Sequence, residues 1–236
     1  MAKMVGLSRN LKLHWLNKAA EFAAENLTEQ EIKKQLNEYL SFEISSPTNM
    51  RKTREILMNI WVYENELNSK LKNEALNIIH DMPEYALVIH WCMLIASYPV
   101  FADMCKLIGK LSEFQDEILL SQIKQKLYDE WGERTTLYHS IDKLITTLKE
   151  LNVIQSEHPG KYKIVKHDVR NSRVSAFMSY ALMLVDNGGY YSFASLSNSV
   201  YFYPFQYEIE KEYILGDKRF SMNNFGGELS LSIKEL

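Results

Sequence analysis

Cysteine is scarce in this chain of 236 residues: Cys92 and Cys105 are the only two. Two cysteines in a chain this long argue against a disulfide scaffold and for reduced thiols in a cytoplasm. They lie 13 positions apart with no second Cys/His pair at zinc spacing, so no metal site is expected. Long apolar runs are missing too. The most apolar window, Ala86 to Phe101, is broken by His90, Ser97 and Pro99. It is too short to span a bilayer and reads as a buried helix and a turn. Met1 to Gly6 is followed by no apolar core, so no signal peptide is expected. The phosphate-cradling GxxxxGKS/T, the dinucleotide GxGxxG, the zinc-binding HExxH and the nucleophile-elbow GxSxG are all absent. Gly188-Gly189 and Gly226-Gly227 lack a strand–helix context and read as turns. No cofactor is expected, and no carboxylate pair stands out for acid/base work. Excess base is also missing: 27 Lys and Arg face 30 Asp and Glu, for a formal charge of −3. Any nucleic-acid binding must therefore come from a local patch. No solenoid repeat or low-complexity tract is present.

What is present centres on Leu119 to Val165. Ser121 is placed to cap a helix with Ile123, Leu127 and Trp131 spaced by four, and Gly132 ends it. Thr135 or Thr136 restarts a helix whose Leu137, Ile141, Leu144, Leu148 and Leu151 form one apolar stripe. Val153 to Glu157 and Tyr162 to Val165 are β-prone runs around the turn His158-Pro159-Gly160-Lys161. Two helices at a tight turn followed by a hairpin is the order of a winged helix-turn-helix, a fold that docks its second helix on duplex DNA.

The first 110 residues read as helices. Leu11, Trp15, Ala19 and Phe22 share one face of a helix over residues 10–25. Thr28-x-x-Glu31 is a capping box opening a helix to about Leu40. Ser45-Ser46-Pro47-Thr48 is a stop before a helix from about Asn49 to Tyr63, and a further helix covers Leu67 to Ile79. Pro83 opens the buried helix and Pro99 the next. Past the winged segment, Val174 to Val185 is an apolar helix ended by Asp186 to Gly189. Eight aromatic rings then crowd into residues 190–207. Phe220 to Met222 and Glu228 to Ile233 flank Asn223 to Gly227 as a small β element.

With the apolar stripe inward, the second winged helix presents Thr135, Tyr138, His139, Asp142, Thr146 and Lys149, with Arg134 at its start. Arg134, Thr135, Tyr138 and His139 suit contact with base edges and phosphates; Asp142 does not. The wing offers Lys161 and Lys163, within a basic stretch completed by Lys166, Arg170 and Arg173 and opposed locally only by Asp168. Residues 111–170 as a whole hold nine basic and ten acidic residues, which fits a winged helix used for protein docking. A second helix-turn-helix is readable at 28–61, with Arg51, Lys52 and Arg54 at the front of its second helix as a backbone contact or a solvated face. His90 reads as a hydrogen-bonded core residue. The aromatic tail has too little base nearby to stack nucleic-acid bases and reads as packing.

The helical body, the segment His90-Trp91-x5-Ser97-Tyr98-Pro99, and a winged helix ending Leu148-x2-Leu151-x-Val153-Ile154 resemble small accessory proteins of bacterial phage-defence operons. The nearest family is the A component of the BREX phage-resistance system, and the resemblance covers residues 28–165. It implies a small helical protein with helix-turn-helix elements that binds DNA without catalysis.

The sequence thus predicts a mainly α protein: a helical domain at 1–111, a winged helix at 112–168, and a helix plus aromatic-rich β element at 169–236. The expected function is non-catalytic binding of double-stranded DNA in a bacterial cytoplasm, away from membranes, within a multi-component antiviral system. The alternative is a protein-docking adaptor subunit of a larger assembly. An enzyme with an unrecognised site ranks third.

Overall fold

A computed structural model describes residues 6–225 and 228–234. The chain is mainly helical. Helices α1 (Leu13–Ala24), α2 (Glu29–Ser41), α3 (Pro47–Trp61), α4 (Asn68–Asp81), α5 (Ala86–Ser97) and α6 (Pro99–Ser112) come first. Then follow β1 (Ile118–Leu119), α7 (Leu120–Trp131), α8 (Thr135–Glu150), β2 (Ile154–His158) and β3 (Lys161–Ile164). The remainder is β4 (His167–Val169), α9 (Ser172–Asp186), β5 (Tyr191–Ser192), α10 (Phe193–Ser197), β6 (Phe205–Tyr207), α11 (Lys211–Gly216), β7 (Phe220–Phe225) and β8 (Glu228–Ile233).

Local chemistry sets most boundaries. The Thr28–Glu31 capping box closes in both directions at the start of α2. Ser46 caps α3 and Pro47 takes its first turn, two residues before the expected Asn49. Pro83 opens a single 3-10 turn ahead of α5 instead of α5 itself. Asn187, in the left-handed region at φ 51°, ends α9. Ser121 does not cap α7: the helix begins at Leu120, and its N-cap is Leu119, two residues earlier, where the Gln122 side chain accepts the Leu119 N–H at 3.4 Å.

Two helices form the centre. Ten of the 12 residues of α5 and eleven of the 15 of α9 are buried, and the two pack on each other. Helices apolar all round must be enclosed on every side. Here α3, α4 and α6 contribute to that enclosure around α5. Among the described residues no single helix is long and apolar enough to cross a membrane, and α6 turns away from the segment carrying α5 by 117°. His90, fully buried on α5, sets Nε2 2.7 Å from Asn17 Oδ1 and meets the Trp61 ring edge-on at 5.2 Å. Burial pushes its pKa down to about 3. Cys92 and Cys105 are buried free thiols.

The aromatic tail folds back onto this centre. Trp91 Nε1 donates to Tyr201 O at 2.9 Å, and its ring meets Phe101, Tyr203 and Phe205 at centroid distances of 5.1, 5.6 and 5.5 Å. Gly109 on α6 makes room for the tail: a Cβ there would sit 2.0 Å from Val200 O. β6 pairs in parallel with β4, His167 opposite Phe205. β5, β8 and β7 form an antiparallel sheet in the order β5-β8-β7. The Asn223–Gly227 turn is shorter than expected, since β7 runs on to Phe225; Gly226-Gly227 lie outside the described residues, as do Met1 to Val5.

Candidate nucleic-acid interface

The segment from α6 to β3 has its own frame. β1 and β2 both pair antiparallel with β3, giving a sheet ordered β1-β3-β2. Leu120 N donates to Gly160 O at 2.8 Å, tying the start of α7 to the β2–β3 turn. Trp131 Nε1 donates to Asp103 Oδ2 at 2.9 Å and holds the end of α7 on α6. On α8, Leu137, Ser140, Ile141, Leu144, Ile145, Thr147 and Leu148 are buried, so the stripe read from the sequence faces the core. The N-terminal segment braces this helix: Leu11 N donates to Thr147 Oγ1 at 3.0 Å.

The turn between α7 and α8 is three residues long. Gly132 sits at φ +78°, and a Cβ there would meet nothing within 4 Å, so only its backbone conformation requires glycine. Arg134 is the half-buried N-cap residue of α8 and donates from Nη2 to Trp131 O at 3.2 Å. Thr135, Tyr138 and His139 are exposed on the first turns of α8, Tyr138 at 46%. The Tyr138 and His139 rings meet edge-on at 5.5 Å. Tyr128, Glu133, Arg134, Thr135 and Tyr138 line a shallow depression of about 280 Å³. These four expected contact residues are thus brought together at one helix start.

Lys124, on α7, was outside the expected set yet organises this face. Its Nζ lies 4.2 Å from the Tyr138 ring centroid and 3.0 Å from Asp142 Oδ1. Burial lowers the Lys124 pKa, but the Asp142 hydrogen bond and charge outweigh it, and the ammonium ends above its ordinary range. The Asp142 charge that would oppose phosphate is therefore matched within the protein. Sequence spacing gave no signal for this, because the pair crosses from one helix to the next.

The basic wing stretch looks different in space. Lys161 lies 3.5 Å from Glu117, and Lys163 lies 3.0 Å from Glu157. The hydrogen bond to Glu157 raises the Lys163 pKa. Lys166 donates to Tyr203 O at 2.7 Å, and Arg170 pairs with Asp168 at 2.8 Å. Arg173 reaches back to α4, where it contacts Glu74 at 2.8 Å and Asp81 at 2.6 Å. The local excess of base is thus met on every side: distant carboxylates match Lys161 and Arg173, nearby ones match Lys163 and Arg170, and a backbone carbonyl takes Lys166.

On α3, Arg51 and Lys52 are exposed. Arg54 is half-buried instead: it donates to Asn37 Oδ1 at 3.1 Å and to Glu55 Oε1 at 3.0 Å. Arg9 joins the front of α3, donating from Nη2 to Asn49 Oδ1 at 2.7 Å. Residues 9–11 therefore touch both the start of α3 and the C-terminal turn of α8. α2 and α3 are joined by the five residues Phe42 to Ser46. Among the described residues, no group of three or more His, Cys, Asp and Glu is placed to hold a metal ion. No protein-family model, curated protein or solved structure matches this chain.

Proposed function

We propose that residues 99–164 form a winged helix that binds duplex DNA without catalysing a reaction, carried by a bundle made of the N-terminal helices. The observation that carries the reading is the exposed start of α8, with Arg134, Thr135, Tyr138 and His139, on a helix–strand–helix–helix–strand–strand frame whose sheet order is β1-β3-β2. Winged helices present the first turns of their second helix-turn-helix helix to the major groove, with the hairpin at the flanking backbone. In this reading Lys161 and Lys163 contact phosphate after exchanging Glu117 and Glu157 for it. Arg51 and Lys52, joined by Arg9, supply a second backbone contact. The resemblance of residues 28–165 to the BREX A component supports a role as an accessory protein of a bacterial phage-defence system in the cytoplasm.

A second reading is favoured by the ion pairs of the wing. A wing whose lysines are already matched by carboxylates suits docking on another protein better than it suits phosphate. A titration against a labelled mixed-sequence duplex at about 50 and about 200 mM salt separates the two. Five phosphate contacts predict a loss of affinity of about 500-fold across that range. No binding at the lower salt overturns the DNA reading and leaves the docking one.

A further inference from the structure

An acid stands on the face of α8 that the DNA reading turns toward phosphate. Thr135, Tyr138 and Asp142 follow one another at spacings of three and four, which places them on one side of the helix. At 1.5 Å per residue Asp142 lies about 6 Å beyond Tyr138 along the axis. Lys124 and Tyr128 share a face of α7 by the same spacing. The two faces meet: Tyr128 and Tyr138 line one depression, and the Lys124 ammonium lies 3.0 Å from Asp142 Oδ1 and 4.2 Å from the Tyr138 ring centroid.

This pair is open to exchange. The Lys124 side chain is 20% exposed, so its stem is largely covered, whereas the Asp142 side chain is 44% exposed. Both groups that hold the ammonium, Asp142 and Tyr138, therefore face solvent. Ion pairs open to water are weak, and a phosphate oxygen competes with such a carboxylate on equal terms. Position favours it as well. In helix-turn-helix docking the first helix crosses the sugar–phosphate backbone while the second enters the groove. A lysine on the α7 face turned toward α8 stands where that backbone passes. Lys124 also differs from the wing lysines, because its carboxylate partner is on α8 itself.

We propose that Lys124 is a phosphate contact of the bound duplex and that Asp142 is the internal counter-ion it gives up, so that Asp142 restrains the docking of α8. The inference rests on the DNA reading above. As the duplex docks, Lys124 leaves Asp142 Oδ1 for a phosphate oxygen, and Asp142 is released to water on its open side. The Tyr138 ring carries no charge and does not compete for the ammonium. The restraint acts through Lys124, and this separates it from plain repulsion between Asp142 and the phosphates. Repulsion is present whatever residue occupies position 124, whereas exchange requires the ammonium.

Titration of the full chain against a labelled mixed-sequence duplex, at several salt concentrations from about 50 to about 200 mM, tests this. Four proteins are compared: wild type, Asp142→Asn, Lys124→Gln and the double variant, each checked for unchanged far-UV circular dichroism. Lys124→Met, which keeps the stem, replaces Lys124→Gln if that variant does not fold. Asp142→Asn is expected to bind about 3- to 5-fold more tightly, the range set by an exposed ion pair. Lys124→Gln is expected to reduce the steepness of log affinity against log salt by about 1. In its background the Asp142→Asn gain is expected to fall below about 2-fold, because the two residues act as a unit. An unchanged slope in Lys124→Gln overturns the proposal. So does an Asp142→Asn gain as large without Lys124 as with it, which makes Asp142 a repulsive charge only. No gain from Asp142→Asn also overturns it and makes the pair a brace between α7 and α8. In these three cases the wild type binds and the DNA reading stands. A wild type that binds no duplex at about 50 mM salt overturns both.

Discussion

Replacing Gly109 with alanine should destabilise the protein, although helix propensity alone predicts the reverse. Gly109 lies inside α6, where alanine is favoured over glycine by up to about 1 kcal/mol. Its Cβ, however, would sit 2.0 Å from Val200 O, 2.7 Å from Val200 C and 2.9 Å from Val200 Cα. All three are backbone atoms, so no side-chain rotation relieves the clash, and the 200–202 turn must move away by more than an ångström. That turn carries Tyr201 O, the acceptor of the buried Trp91 Nε1. Overpacking of this kind costs about 1–3 kcal/mol, and a buried donor left without its acceptor costs about 1–3 kcal/mol more. Less the propensity gain, the net loss is about 1–5 kcal/mol. Urea unfolding followed by tryptophan fluorescence measures it, with an altered native spectrum as a second sign because Trp91 is one of the four tryptophans that report. Gly132→Ala is the control, strained by its φ of +78° but unobstructed, with an expected cost of about 1 kcal/mol. A Gly109→Ala protein as stable as the wild type would refute the close packing of the tail on α6.

Two further outcomes follow from the charges. The double variant Glu117→Gln, Glu157→Gln should bind duplex DNA about 3-fold more tightly, because exposed ion pairs are worth no more than about 1 kcal/mol each. Lys161→Ala with Lys163→Ala should reduce the steepness of the log affinity against log salt plot by about 2. An unchanged slope would remove the wing from the interface. His90 makes stability depend on pH. Its folded pKa of about 3 lies below the usual 6.5, so below pH 6.5 the unfolded chain binds the proton that the folded one excludes. Its stabilising contribution is present above pH 6.5 and falls by up to about 1.4 kcal/mol per pH unit on the way down to about 3. Denaturant midpoints from pH 7 to 5 should drop for the wild type and drop less for His90→Leu. Equal slopes would mean that His90 is hydrated or otherwise able to take a proton.

Much of the helical half was legible because its signals are local. The Thr28–Glu31 box, the Ser46-Pro47 restart, Gly132 and the four-residue apolar spacings act within one or two turns, and the helices stand where those signals put them. Small elements were not legible. β1 is two residues long and is a strand only because β3 lies beside it. β4 and β6 are each three residues, joined in parallel across a long stretch of chain, and neither carries a pattern. In the candidate interface, the contact residues at the start of α8 could be read from helical spacing, but Lys124 could not. Neither could the partners of Lys161 and Arg173.

The sequence by itself determined which residues enter helices and which helix faces turn inward, because capping, backbone freedom and apolar periodicity act at short range. Tertiary structure alone decided which charges meet. Coulomb attraction and hydrogen bonding depend on distance in space, and Glu117, Glu74 and Asp81 reach the basic stretch from parts of the chain that no local count includes. The same holds for the tail: its rings announced packing, but only the fold shows that Trp91 receives them.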